Sequence, residues 1–268
     1  MTAGLLALAA FLALQVAIGV YVSRRIATED DYLVGGRRFG YVLATFSIFA
    51  TWFGAETVIG SAGEVYSNGL SIAQAEPFGY AICLLAMGAL LAKPLWNRGL
   101  TTLADLYRQR FGVGIERLAA LILIPPSVLW AAAQVRAFGT VIALVGDIDL
   151  TLGVGIAALF TIAYTTFGGL LADAVTDVLQ GGLLALGLIT TLVFVVAAVG
   201  GVDAAIARLA SSDAISLAPH SGEPWFALAE SWAIPVFGSL VSTEVIGRVI
   251  AARSGTVAQR SGILAGVL

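Results

Sequence analysis

The stretch YVLATFSIFATWFGAETVIGSAGEVYSNGL, residues 41–70, places glycine, threonine and serine residues around Glu56 in the middle of an apolar run. This composition would weaken a helix that faces lipid, and a carboxylate at the bilayer centre costs on the order of 2 kcal/mol or more to insert. Two structures fit it: a helix packed closely through small residues, or a helix interrupted within the membrane whose freed carbonyl groups bind a cation. Gly54-Ala55, next to Trp52, favours the interrupted helix.

The rest of the chain is equally apolar. Of its residues 59% are hydrophobic and only 12% are charged, and the mean hydropathy is +0.95. A membrane span needs about 20 apolar residues, and on that criterion the sequence predicts about seven spans in an all-α integral membrane protein. The predicted spans are Ala3 to Val22, Gly40 to Ala62, Ile72 to Ala92, Leu118 to Val145, Thr151 to Leu171, Thr176 to Val199 and Trp225 to Gly247. Residues 256–268 are too short to cross, so the chain is expected to stop inside an eighth helix.

Basic residues alternate with these spans. Twelve of the 14 Lys and Arg residues fall within three segments, residues 24–38, 93–117 and 248–260. The loops that alternate with these segments, between the other predicted spans, contain one basic residue in total, Arg208. The positive-inside rule places the three basic segments in the cytoplasm and therefore the N-terminus outside. The opening run has no basic residues before it, which favours a retained helix over a cleaved signal peptide.

Several classes of function are excluded by composition. The single cysteine, Cys83, lies within a span and leaves no disulfide or cysteine-based metal site. No GxxxxGK[ST] loop is present, so the sequence does not predict ATP hydrolysis. We expect neither an enzyme, nor an organic cofactor, nor a nucleic-acid partner.

Charged residues inside the apolar runs are candidates for function. Asp173 is interpreted as the N-cap of the span that begins near Thr176, whereas Asp177 lies inside that span, where a carboxylate needs a cation, a donor or water. Arg136 is the basic residue well inside a span, and we expect a carboxylate beside it. Glu76 and Glu244 are both candidates for that partner.

Four motifs follow one another along the chain: GAETVIGSAGEVYSNGL from Gly54, TTLADLYRQRFG from Thr101, GGLLADAVTDVLQ from Gly168 and RVIAARS from Arg248. Their order and spacing resemble the sodium:solute symporter family, whose members have a LeuT-like fold of two inverted five-helix repeats. This resemblance implies an extra N-terminal transmembrane helix over residues 1–25 and a first repeat over residues 40–199. Residues 225–268 would then be the incomplete start of the inverted second repeat.

Within that family the chain most resembles the high-affinity choline transporter branch, through ATWFG (50–54), PFGYAI (77–82), AKPLWNRG (92–99) and LWAAA (129–133). That branch encloses a quaternary ammonium group with aromatic rings by cation–π attraction. The resemblance assigns solute binding to Trp52, Tyr80 and Trp130. The branch has a fourth aromatic residue at the position that Ser242 occupies in this chain, so the set of aromatic rings around the solute would be incomplete.

The same resemblance assigns sodium binding to the backbone carbonyls of Ala50 and Phe53 and to the carboxylate of Asp177. We therefore expect a multi-pass protein of the cell membrane that couples sodium to the alternating-access transport of a small organic solute, either a quaternary ammonium compound such as choline or an amino acid-like solute. Na⁺, that solute and the lipid bilayer are the expected partners. The alternatives are the membrane sensor module of a signalling protein and a truncated, inactive fragment.

Overall fold

The structure is a computed structural model of the 268-residue chain and describes residues 3–54, 56–71, 75, 78–211, 215–216 and 224–268. Within these residues it is built from α-helices, which we number in chain order. They are α1 (Ala3–Ser23), α2 (Glu29–Val34), α3 (Tyr41–Trp52), α4 (Ala62–Asn68), α5 (Phe78–Ala86), α6 (Ala92–Trp96), α7 (Leu103–Phe111), α8 (Val113–Gly146), α9 (Leu150–Val199), α10 (Val202–Ser211), α11 (Trp225–Ala233), α12 (Thr243–Ile250) and α13 (Gly255–Val267).

Short irregular elements join some of these helices. A 3₁₀ turn spans Gly35–Arg37, and π-helical turns span Glu56–Ser61, Met87–Leu91 and Ile234–Gly238. Two short strands, β1 (Leu70–Ser71) and β2 (Ile215–Ser216), pair in parallel with Leu70 opposite Ile215. This pairing joins the end of α4 to the segment after α10, at residues far apart in the chain.

Length and composition make five helical stretches able to cross a membrane: Gly4–Ser23, Phe78–Trp96, Val113–Gly146, Gly168–Val199 and Trp225–Ile250. Two shorter apolar helices, Tyr41–Trp52 and Leu150–Ala163, overlap the other two predicted spans but are shorter than those spans. The prediction of a multi-pass, all-helical membrane protein is therefore confirmed. It follows from apolar length alone, because the backbone of a lipid-exposed segment must satisfy its hydrogen bonds internally.

The prediction that Asp173 caps a helix after a turn is wrong. Helix α9 runs from Leu150 to Val199, and its only non-helical residue is Gly169, with φ 52° and ψ −168°. Glycine adopts this positive φ without strain, so the chain changes direction there with no intervening turn. Asp173 lies one helical turn later, inside the helix, and its carboxylate is free to pair elsewhere. A Cβ at Gly169 would lie 2.8 Å from the Tyr32 carbonyl oxygen, so α2 packs directly on this kink.

Helix α2 is fixed by its N-terminal residues. The Thr28 side chain accepts from the Asp31 N–H, and the Asp31 carboxylate accepts from the Thr28 N–H, which forms a capping box. Hydrogen bonds from the Thr28 hydroxyl and the Ala27 N–H, together with nearby Arg38, lower the pKa of Asp31 below its usual range. The Asp31 carboxylate lies 3.3 Å from the Arg38 guanidinium. The capping box and the Asp31–Arg38 ion pair hold the segment that leads into α3.

The main core forms where α3, α12 and α13 meet. Ile48 and Ile250 are fully buried there beside Val245, Val249 and Ala258. Backbone hydrogen bonds close the same region, because the Phe39 N–H donates to the Ala251 carbonyl at 3.1 Å and the Arg253 N–H donates to the Phe39 carbonyl at 3.0 Å. The beginning of α3 and the end of α12 are thus fastened to each other.

Close backbone contact between α13 and the π-helical turn at Met87–Leu91 yields a first prediction. A Cβ at Gly88 would lie 2.5 Å from the Ile263 nitrogen and 2.9 Å from the Gln259 carbonyl oxygen, and neither backbone atom can move independently. Gly88→Ala should therefore lower the free energy of unfolding by about 1–3 kcal/mol, as overpacking does. The measurement is denaturant unfolding of the full-length protein in micelles. Gly187→Ala is the control, because no atom lies within 4 Å of a Cβ there, and equal stability of the two variants would contradict this packing.

Candidate functional site

The second apolar run contains a break in the helix. Helix α3 ends at Trp52, Phe53 has φ −92° and ψ 68°, and helical structure resumes at Glu56 as a π-helical turn. The Thr57 hydroxyl donates to the Trp52 carbonyl at 2.6 Å. Among the described residues, no donor reaches the carbonyl oxygens of Ala50 or Phe53. The interruption predicted from the sequence is observed, and within the described ranges the carbonyl oxygens of Ala50 and Phe53 have no hydrogen-bond donor.

A second break separates α11 and its π-helical turn from α12. Ser242 has extended backbone angles, and its hydroxyl accepts from the Val245 N–H at 3.4 Å as the N-cap of α12. The sequence analysis treated Trp225 to Gly247 as one uninterrupted span. The polar residues Ser242, Thr243 and Glu244 in that apolar run were the available sign of a break, since the same kind of composition marks the first one.

One face of α8 contacts both breaks. The Ser127 hydroxyl lies 3.2 Å from the Thr243 hydroxyl and donates to the Glu244 carboxylate at 3.1 Å. Two turns further along α8, the Gln134 amide oxygen lies 3.0 Å from the position that a Cβ at Gly54 would take. A Cβ at position 54 would therefore require the Gln134 amide to shift by a few tenths of an ångström. Spacings of three and four residues put side chains on one helix face, so Trp130 lies between the two contacts.

Two of the three predicted solute-binding aromatic residues meet directly. The rings of Trp52 and Tyr80 stack with centroids 5.3 Å apart and planes inclined by 16°. Trp130 makes no ring contact with either of them among the described aromatic residues, and its connection to the site is its place on the α8 face. The indole N–H groups of Trp52 and Trp130 are both buried without a hydrogen-bond partner in the described part of the chain. Ser242 has no ring to contribute.

A buried charged cluster links three helices. The Arg248 guanidinium on α12 lies 2.6 Å from the Asp173 carboxylate and 3.7 Å from the Asp177 carboxylate, both on α9. Ser47 on α3 completes the cluster, because its hydroxyl donates to Asp177 at 2.6 Å and accepts from the Arg248 Nε at 3.1 Å. Asp177 is thus buried and paired, as its place within a span requires.

The sequence analysis did not identify Arg248 or Ser47 as members of this cluster. It used Arg248 as one of the basic residues that set the topology and as the start of the RVIAARS motif, yet its side chain is 15% exposed and paired with a carboxylate. A single sequence does not show which helix lies opposite a charged residue 75 positions away. That the Arg248 N–H groups reach two other helices, α3 and α9, becomes visible only in the folded chain.

A cavity of about 740 Å³ lies next to the first break. Phe53 and Gly54 line one part of it, and Asp173 and Gln180 on α9 line another. Gln15 on α1 also faces the cavity and is 5% exposed. Trp52, Tyr80 and Trp130 are not among the residues that line this cavity.

The expected partner of Arg136 is not observed. Arg136 is exposed on α8 and forms no ion pair within the described ranges. Of its two candidate partners, Glu244 accepts from Ser127 instead, and Glu76 lies outside the described residues. The prediction that a carboxylate lies beside Arg136 is therefore wrong for Glu244, which contacts Ser127 at the second break, and an exposed guanidinium can be solvated without a carboxylate.

These features define a multi-pass membrane protein with two interrupted helices that face one uninterrupted helix. The sequence profile of the sodium:solute symporter family matches residues 32–268. The chain therefore belongs to the sodium:solute symporter family. The membership inferred from the four motifs is confirmed.

Individual relatives agree with this assignment. The chain is 30% identical to human high affinity choline transporter 1 over 98% of its own length and 47% of that protein. It is 27% identical to the sodium/glucose cotransporter of Vibrio parahaemolyticus, over 97% of its length and 51% of that protein. The chain thus spans about half the length of the curated relatives it matches.

The fold is shared with a solved structure, described as the substrate-bound outward-open state of a Na⁺-coupled sialic acid symporter. The TM-score is 0.83 at 23% sequence identity, and the match covers 99% of this chain and 56% of that one. At this identity the likeness concerns the fold.

The charged cluster generates a prediction about stability. Arg248→Gln removes the only cation that the described residues place against Asp173 and Asp177, and leaving a buried charge without its partner costs about 3–5 kcal/mol. Asp173 is 36% exposed, so we expect the lower end of that range. Denaturant unfolding of the full-length protein in micelles measures the change. Arg253→Gln, at an exposed arginine in the next loop, should change stability by no more than about 0.5 kcal/mol. Equal free energies of unfolding in the two variants would contradict a stabilising role for the cluster.

Proposed function

We propose that this chain is part of a sodium-coupled symporter for a small organic solute and that it works by alternating access. One observation carries the proposal: the break after Trp52 frees backbone carbonyl oxygens beside a stacked aromatic pair. Irregular backbone at membrane depth persists only where protein or a water-filled cavity satisfies it, and it is a common form of ion site in secondary transporters. Membership of the sodium:solute symporter family supports the same conclusion.

The proposed sodium ligands are the carbonyl oxygens of Ala50 and Phe53. Neither has a hydrogen-bond donor among the described residues, and oxygen ligands suit a hard cation. Asp177 is proposed to act near the path of the ion. The cavity supports this path, because it extends from Phe53 at the break to Asp173 and Gln180 on the helix that carries Asp177.

The proposed solute site comprises Trp52, Tyr80 and Trp130. Stacked rings present π faces, which attract a cation that has no hydrogen to donate, and the site has no carboxylate among the three. The two unpartnered indole N–H groups can donate to an oxygen of the same solute. A methylated ammonium compound with a hydroxyl or carboxylate group fits both features. Choline, named in the human relative, is one such compound.

Alternating access is proposed to move the two broken helices relative to α9. Helices α3 and α12 share a core and backbone hydrogen bonds, so we expect them to move together. Their link to α9 is the cluster of Arg248, Asp173, Asp177 and Ser47. Opening this side of the protein requires the guanidinium to leave the carboxylates, and a cation that passes Asp177 would compensate its charge. The repeats are proposed to cover residues 40–199 and to begin again at Trp225, since each starts with a broken helix.

The proposed orientation places the N-terminus outside the cell membrane, on the basis of the three basic segments. Ser67, at the end of α4, and Gln109, on α7, are both exposed and belong to opposite sides in this orientation. In intact cells, Ser67→Cys should react with an impermeant thiol reagent and Gln109→Cys should not. Labelling of Gln109→Cys at the rate of Ser67→Cys would reverse the topology.

The proposed role of Asp177 predicts the effect of its neutralisation on sodium dependence. In the full-length protein, Asp177→Asn should weaken apparent sodium affinity by about tenfold, which corresponds to roughly 1.4 kcal/mol, and should change maximal solute accumulation less. The charge near the ion path is removed while the aromatic residues stay intact. Uptake into proteoliposomes as a function of sodium concentration measures both quantities. Asp203→Asn, at an exposed carboxylate on α10, is the control. An unchanged sodium dependence in Asp177→Asn would leave that residue a purely structural role.

The proposed solute class predicts a difference between two substitutions of Trp52. Trp52→Phe keeps a ring face and should retain partial binding, whereas Trp52→Leu should lose about 1–2 kcal/mol, which is about a five- to thirtyfold loss of affinity, because cation–π attraction needs the ring. Binding to the full-length protein is measured in sodium with choline, betaine, proline and a short carboxylate as competitors. The same pair of substitutions at Trp225, which is 79% exposed, serves as the control. Competition by the short carboxylate alone, or wild-type affinity in Trp52→Leu, would refute the aromatic site while leaving the transporter class standing.

A further inference from the structure

Arg98 in the turn after α6 and Arg110 near the end of α7 lack carboxylate partners among the described residues. Arg98 and Arg110 line one open pocket of about 560 Å³ together with Gln109 and Phe111. The nearby Arg108 is different, because it lies 3.7 Å from the Glu116 carboxylate. Two unpaired guanidinium groups in one pocket attract an anion with more than one acceptor oxygen, and guanidinium groups match phosphate oxygens in pairs.

The parts of this pocket are held in place by the fold. The Gln109 amide donates to the Arg98 carbonyl at 3.3 Å, which ties the turn after α6 to α7. The Arg110 guanidinium lies 5.8 Å from the centre of the Phe111 ring. Phe111 is 61% exposed and immediately precedes the exposed apolar start of α8. An aromatic ring with a stacked cation at such a junction is typical of the level of lipid headgroups.

An apolar groove of about 180 Å³ lies beside the basic pocket, between α7 and α8. It is lined by Tyr107, Ile115, Leu118, Ala119, Ile122 and Leu123. Tyr107 in the groove and Phe111 in the pocket are one helical turn apart on α7 and share a face. The groove therefore continues from the charged pocket along the lipid-facing side of α8, where Leu118 and Ile122 are 50% and 62% exposed.

We propose that this pocket and groove together bind one anionic phospholipid of the adjacent leaflet. Arg98 and Arg110 hold the phosphate and the negative headgroup, and an acyl chain lies in the groove beside Leu118 and Ile122. A soluble phosphate would use only the arginines and leave the apolar groove empty, so the combination of the two surfaces favours a lipid. Basic pockets between membrane helices bind acidic headgroups in this way, and a net negative charge is required to neutralise the second guanidinium.

The test measures lipid binding to the purified full-length protein, and it does not depend on transport. Fluorescent phosphatidylglycerol and fluorescent phosphatidylcholine are titrated separately into the protein in detergent. The site variant is Arg98→Gln with Arg110→Gln. The matched control is Arg253→Gln with Arg260→Gln, which removes the same charge from exposed positions outside this pocket. We expect the site variant to bind phosphatidylglycerol at least about fivefold more weakly and the control to change by less than about twofold.

Two further arms separate the lipid from other anions. Ile122→Trp should fill the groove and weaken phosphatidylglycerol binding while both arginines remain. Glycerol 3-phosphate, which shares the headgroup chemistry but has no acyl chain, should compete poorly with the lipid. The proposal is refuted if the control variant loses as much affinity as the site variant, if phosphatidylcholine binds as tightly as phosphatidylglycerol, or if glycerol 3-phosphate competes as well as the lipid does.

Discussion

The structure depends on the requirement that backbone polar groups in an apolar solvent be satisfied within the protein. An uninterrupted helix meets that requirement by itself, whereas a break does not. The break after Trp52 leaves the Ala50 and Phe53 carbonyls without donors among the described residues, so they must face protein, water or an ion. The Gln134 side of α8 approaches Gly54 closely, and the cavity beside Phe53 reaches α9.

A second constraint concerns charge. Arg248, Asp173 and Asp177 lie among apolar helices, where charged groups are costly unless they are paired and hydrogen-bonded. Pairing is achieved across three helices, because Ser47 on α3 connects Asp177 on α9 to Arg248 on α12. In the proposed mechanism α3 and α12 move away from α9, and each carboxylate would then need a replacement cation. A sodium ion that passes Asp177 would supply that charge.

The spans, the first break and the membership of the family could be predicted from the sequence, because apolar length, polar composition and motif order can be read along the chain. The contacts between distant segments could not be predicted. Asp173 was expected as a cap and is instead an ion-pair partner, because Gly169 turns the chain without ending the helix. Arg248 was counted with topological charges although its partner lies 75 residues earlier. The second break at Ser242 was missed because its run of polar residues is shorter than that around Glu56. The spacing along α8 shows that Trp130 shares a helix face with Ser127 and Gln134. The spacing does not show which residues that face contacts.

The central claim is that the break after Trp52 is an ion site, and hydrogen–deuterium exchange tests it most directly. The full-length protein is compared in sodium and in potassium at equal ionic strength, without solute. An ion bound by the Ala50 and Phe53 carbonyls should restrict the motion of the backbone at the break. The account predicts that sodium slows amide exchange in the peptides that cover residues 50–61 and leaves peptides from α10 unchanged. Equal exchange over residues 50–61 in the two salts would contradict it.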